Sequence, residues 1–126
     1  MPQFDIFKLH ELHDYLYMSA VHDSRFKDIG YDPSQHVVKM ILFNQILEKV
    51  ISISFLNVKL LLSISDDKWG SDQSISSLTI EDIEQATDIF PKVDKRDLDG
   101  CIYLLFQLFS GNEIHIISKY VSFDEM

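Results

Sequence analysis

Asp99-Gly100-Cys101-Ile102-Tyr103-Leu104-Leu105-Phe106-Gln107-Leu108-Phe109-Ser110-Gly111-Asn112-Glu113 carries the strongest local signal in the chain. Ile102, Leu104, Phe106 and Leu108 alternate with Cys101, Tyr103, Leu105 and Gln107, so the period is two and both faces are largely apolar. A strand of that kind is covered on both sides. Gly111-Asn112 then predicts a tight hairpin, because both residue types tolerate positive φ cheaply. Glu113 to Phe123 is strand-like again, and Asp99-Gly100 marks the turn that enters the hairpin.

Working towards the N-terminus, Val58, Leu60, Leu62 and Ile64 alternate with Lys59, Leu61, Ser63 and Ser65. Ile51-Ser52-Ile53-Ser54-Phe55 alternates cleanly, with the serines on the outer face. Asn57 alone is too short for a hairpin loop, which predicts a bulge or bend there rather than a reversal. His36 to Phe43 is an extended run, and Gly30-Tyr31-Asp32-Pro33-Ser34 before it reads as a turn. The first twenty residues read instead as a helix: Leu9, Leu12, His13, Leu16 and Ala20 recur at helical spacing, with Asp5 as N-cap. Residues 66–77 are loop-like, holding a long connection or a short edge strand. Thr79-Ile80-Glu81-Asp82 has the spacing of an N-cap, so a helix is expected over residues 80–89, ended by Pro91. The expected fold is one α+β domain over residues 1–126, an N-terminal helix packed on a mainly antiparallel β-sheet.

A length of 126 residues suits one domain, and 46% hydrophobic with 25% charged residues is ordinary globular composition. The longest apolar runs, such as Met40 to Phe43, are far too short to span a bilayer. Met1-Pro2-Gln3-Phe4-Asp5 has no basic segment before an apolar one, so no signal peptide is expected. The single Cys101 cannot form an internal disulfide, which points to a reducing compartment. A net charge of −9 argues against general binding to nucleic acid or to an anionic membrane surface.

Catalytic and metal motifs find little support. His10-Glu11-Leu12-His13-Asp14 places two histidines three apart, whereas the zinc-protease pattern needs four. His22 and Asp23 could add ligands only if the fold brought them close, so no transition metal is expected. Cys101 has no cation on its own face to activate it and reads as a small buried residue. Adjacent acids such as Asp66-Asp67 and Glu81-Asp82 point to opposite faces in strands and are solvated in loops. There is no Gly-rich phosphate loop, Gly-x-Ser-x-Gly or Cys-x-x-Cys. The expectation is a non-enzyme without cofactors.

Charge asymmetry is the feature that stands out. Residues 66–99 hold ten acids against four bases. Such a run first of all keeps a face soluble, but it also steers towards a basic partner. The only tryptophan, Trp69, sits inside it, either as a buried structural residue or as an interface anchor. The candidate partner-binding residues are Asp66, Asp67, Trp69 and Asp72, with Glu81, Asp82 and Glu84 in support.

Five segments carry a resemblance: His22-Asp23-Ser24, Ile29-Gly30-Tyr31-Asp32, Ser54-Phe55-Leu56-Asn57-Val58, Trp69-Gly70-Ser71 and Leu108-Phe109-Ser110-Gly111-Asn112-Glu113-Ile114. In these turn and strand signatures, over about residues 22–123, the chain resembles small bacterial α+β domains that include immunity proteins of polymorphic toxin systems. The resemblance implies a cytoplasmic protein that binds and neutralises a cognate toxin. The alternative is a housekeeping binding or scaffold domain, one form of which is a homodimer through strand edges. A third reading, an enzyme assembled from His10, His13, His22 and Asp23, requires a bound metal.

Overall fold

The computed structural model describes residues 2–19, 21, 23–65, 67–90 and 92–125. Its organising unit is the hairpin of β6 (Ile102–Leu108) and β7 (Glu113–Glu125), in register from Ile102↔Ser118 to Gln107↔Glu113. Gly111 makes the turn at φ +91°, its N–H donating to the Leu108 carbonyl at 2.9 Å, while the Leu108 N–H donates to the Asn112 carbonyl at 3.0 Å. Asn112 needs no positive φ; its side chain instead bonds Asp67.

β4 (Lys49–Ile64) is one continuous strand of 16 residues, pairing with β3 (Val37–Asn44) through its first half and with β7 along most of its length. Asn57 takes φ +54°, and the register with β7 shifts between Val58 and Leu60, so the chain bends here and does not reverse. Ile51, Ile53 and Phe55 point into the core, and Ser52 and Ser54 stay half-exposed, as the alternation requires.

β2 (Arg25–Asp32), β5 (Ile75–Glu81) and β1 (Gln3–Phe4) complete an antiparallel sheet of order β2-β3-β4-β7-β6-β5, with β1 joined to β7. Strand twist curls this sheet until its ends touch. The Phe26 N–H donates to the Gln73 carbonyl at 2.9 Å and the Ile75 N–H to the Ser24 carbonyl at 3.0 Å, with a single bridge at Arg25↔Ser74. The enclosed face holds the main core, including Met40, Ile53, Phe55, Leu104, Phe106, Ile116 and Phe123. Helix α1 (Leu9–Met18) enters it with Leu12 and Leu16, while Tyr15 packs on Phe123 at 4.8 Å between ring centroids. The opposite face of β6 and β7 is covered by α2 (Ile83–Ile89) and the helical turn Lys95–Leu98. The molecule is therefore a mainly β form of α+β, and no helix among the described residues is long and apolar enough to cross a membrane.

Several expectations need correction. The N-terminal helix is shorter than twenty residues: Gln3–Phe4 pairs with Val121–Ser122, burying Phe4 beside Phe123, and Asp5 caps a short 3-10 turn at Ile6–Lys8 through Phe7 N–H at 3.0 Å. His13 lies exposed, and Ala20 falls outside the described residues. Gly30 and Tyr31 belong to β2; the reversal is at residues 33–36, where Asp32 Oδ1 accepts from the Ser34 N–H at 3.0 Å and His36 takes φ +55°. The largest correction concerns residues 75–82. Thr79 caps no helix: it lies in β5, and its hydroxyl donates to Glu81 Oε1 at 3.0 Å. The helix begins three residues later, capped by Asp82 Oδ1 accepting from the Glu84 N–H at 2.9 Å. Pairing with β6 satisfies this backbone and packs Ile75, Leu78 and Ile80 on the core, which outweighs a local capping pattern. Pro91, the expected helix stop, lies outside the described residues; α2 ends at Ile89.

Candidate partner-binding surface

The connection from β4 to β5 is fastened to the β6–β7 turn by a set of short hydrogen bonds. Asn112 is the clasp: Oδ1 accepts from the Asp67 N–H at 2.9 Å and Nδ2 donates to Asp67 Oδ1 at 2.9 Å. Asp67 itself takes φ +49°, and the Gly70 N–H returns to its carbonyl at 3.1 Å. The Trp69 N–H donates to the Ser110 carbonyl at 2.8 Å, the Ser110 N–H to the Asp72 carbonyl at 2.8 Å, and the Phe109 N–H to the Ser74 carbonyl at 3.0 Å. Asp72 Oδ1 accepts from the Ser74 N–H at 2.9 Å. That backbone bond, with help from the Ser74 hydroxyl and the charge of Arg25, holds the Asp72 carboxyl below the usual carboxylate range.

Trp69 is 78% exposed. It is not a structural core residue, although one ring edge rests on the turn: a Cβ built on Gly111 would lie 2.5 Å from Trp69 Cδ1. Gly111 is thus required twice, for its positive φ and for the approach of the indole. The result is a large aromatic side chain presented to solvent on a braced loop, with the carboxylates of Asp67 and Asp72 beside it in sequence. Asp66 lies outside the described residues.

The supporting acids are not gathered with this loop. Glu81 ends β5, Asp82 caps α2, and Glu84 pairs with Lys95 at 3.2 Å on the surface. The length of β5 separates them from Asp72, a distance on the order of 20 Å. Two acidic ends on one strand replace the single patch that the charge count suggested.

Other candidate chemistry is scattered. His10 Nε2 lies 3.6 Å from Asp14 Oδ2 and His13 Nδ1 3.7 Å from Asp14 Oδ1, all well exposed on α1. His22 falls outside the described residues. Among the described residues no group of three His, Cys, Asp or Glu side chains is placed to hold a metal ion. Cys101 is buried, and burial pushes its thiol pKa up despite Lys59 and Lys119, so it is held away from the reactive thiolate form.

No protein-family model matches this chain, and no curated protein does.

One group was invisible to motif reasoning. His115 is buried in β7; its Nδ1 shares a 2.7 Å hydrogen bond with the Tyr103 hydroxyl and its Nε2 lies 3.2 Å from Glu113 Oε1, which belongs to a carboxylate also bonded by Gln107 Nε2 at 3.3 Å. The Phe90 ring meets His115 edge-on at 5.6 Å. The available signal was a lone imidazole inside Ile114-His115-Ile116-Ile117. Burial, then the charges of Glu81 and Glu113, push the Tyr103 pKa up. Each member of this chain is satisfied by a neighbour, and Tyr103 is 1% exposed, so the group has the character of a structural network that fixes α2 on the sheet.

Proposed function

We propose that the protein is a non-catalytic protein-binding domain that neutralises a cognate bacterial toxin in the cytoplasm, with Trp69 as its anchor. The carrying observation is the exposure of Trp69 on a loop already braced by Asn112, Ser110 and Gly111. A pre-ordered aromatic loses little further conformational freedom on binding, and tryptophan is among the residues that concentrate interface energy. Asp67 and Asp72 beside it, within a chain of net charge −9, favour a basic partner. A toxin that acts on nucleic acid presents such a surface, and covering it blocks activity without chemistry.

The test is co-expression with the product of the neighbouring gene, followed by pulldown and binding kinetics. Trp69→Ala should speed dissociation by about thirtyfold, equivalent to ~2 kcal/mol for an anchor. Raising salt should slow association, since the Debye length falls from about 10 Å at 0.1 M to about 3 Å at 1 M. Capture of that product equally well by the wild type and Trp69→Ala would remove the anchor role. No capture and no relief of toxicity would favour a scaffold domain instead.

A further inference from the structure

The two outer edges of the sheet are built differently. β2 carries Arg25, Lys27, Asp28 and Asp32 and breaks register between Phe26 and Asp28, and charges with a bulge are devices that keep foreign strands from adding. β5 has its bulge only at its start, between Ile75 and Ser77. Its next residues, Ser77-Leu78-Thr79-Ile80, have no charge and no proline. Their inner edge pairs with β6. Among the described residues the outer edge has backbone partners only at Ile75, by the bond to Ser24, and at the Arg25↔Ser74 bridge. From Ser77 onward no strand among the described residues meets this row of backbone donors and acceptors.

That edge faces a groove of about 570 Å³ between β5 and α1. Leu16, Tyr17 and Val21 line it on one side, Leu78 and Ile80 on the other, and Phe109 stands at one end. Tyr17 is 69% exposed and Phe109 56% exposed, two aromatic walls open to solvent. His13 and Asp23 also line it. Asp72 lies beyond the Ser74 end of the strand, and Glu81, Asp82 and Glu84 lie at the other.

We propose that the outer edge of β5 accepts an extended peptide segment of the partner protein as an added strand, with apolar side chains at alternate positions and Lys or Arg on both flanks. This deepens the protein-binding reading and rests on it. The exposed backbone supplies the ladder, the groove takes the side chains of one face, and the acids at both ends receive the flanking cations. A second copy of this chain fits poorly. Antiparallel pairing of β5 with itself would set Glu81 and Asp82 of each copy towards the Asp72 end of the other, acid against acid.

The probe is a synthetic peptide, Lys-Lys-Val-Thr-Val-Thr-Val-Lys-Lys, added to the full chain at millimolar concentration and low salt. Amide hydrogen exchange should slow at residues 77–80, and not at Lys27–Asp32. Tyr17→Ala and Phe109→Ala, both at exposed positions, should each raise the peptide Kd about tenfold, while Tyr31→Ala, exposed near the far end of β2, should leave it unchanged. The same peptide with Glu in place of Lys should fail to bind. Unchanged exchange at 77–80 under these conditions overturns the proposal, as does protection at β2 instead. Protection at 77–80 without peptide, together with a doubled mass by light scattering, would make the occupant a second copy and overturn it equally. Failure here is separable from failure of the toxin reading: capture of the toxin that depends on Trp69, without protection at 77–80, leaves the partner and removes the strand.

Discussion

The sheet buries two layers of unlike chemistry. The enclosed layer, from Phe4 and Leu12 to Phe106 and Phe123, is built from aliphatic and aromatic side chains supplied by every strand and by α1. The outer layer is small: Ala86, Leu98, Cys101, Tyr103 and Ile117, with a hydrogen-bonded chain from Tyr103 through His115 to Glu113 running through it. Apolar burial is nondirectional and rewards volume, so the enclosed layer sets the overall stability. A buried polar chain contributes little net free energy but tolerates few geometries, so the outer layer sets where α2 sits.

The contrast is sharpest at Phe106, whose ring stands edge-on to Phe55 at 6.2 Å. Phe106→Ala should cost about 3–5 kcal/mol in urea unfolding, through lost contact and the cavity left behind. Tyr103→Phe should cost less, about 1–3 kcal/mol, because it strands His115 Nδ1 while keeping the ring. A larger loss from Tyr103→Phe than from Phe106→Ala would reverse the ranking of the two layers. Tyr103 also gives the outer layer a pH signature. Its folded pKa lies above the ordinary 10.0, so its contribution is complete below pH 10.0 and is lost as pH rises through the folded value. The wild type should therefore lose stability above pH 10.0 more steeply than Tyr103→Phe, with Tyr15, also raised by burial, leaving a residual slope in both. The smallest effect belongs to neither layer. Asp72 is lowered by its bond from Ser74, so its contribution is present above the unfolded value of 3.8 and fades as pH falls through the depressed one. Asp72→Ala should shift the urea midpoint slightly at neutral pH, and that difference should vanish in acid.

Sequence pattern reached the elements whose burial is periodic. The β6–β7 hairpin, the bend at Asn57 and the alternation of Ile51, Ile53 and Phe55 are local consequences of side-chain period and turn chemistry, and the structure has all three. β5 escaped because Thr79 and Asp82 offer rival caps three residues apart, and only pairing with β6 selects between them. The Gln3–Phe4 strand escaped for a similar reason: its partners, Val121 and Ser122, lie more than a hundred residues away. Of the candidate surface, Trp69 and its flanking acids were visible as composition, whereas the brace was not. Nothing in Asn112 as a turn residue announces that its amide will grip Asp67. The division of the acids between two ends of β5 is likewise a fact of topology, since charge counted along a chain has no direction in space.

The placement of Trp69 also determines what light can report. It is the only indole in the chain, and it already stands in water when the protein is folded. Its emission colour should therefore change little as the core melts, leaving circular dichroism as the better witness of unfolding. The same spectrum should move sharply to the blue when another surface closes over the ring, so the chain carries its own dye for the event in which it is proposed to take part.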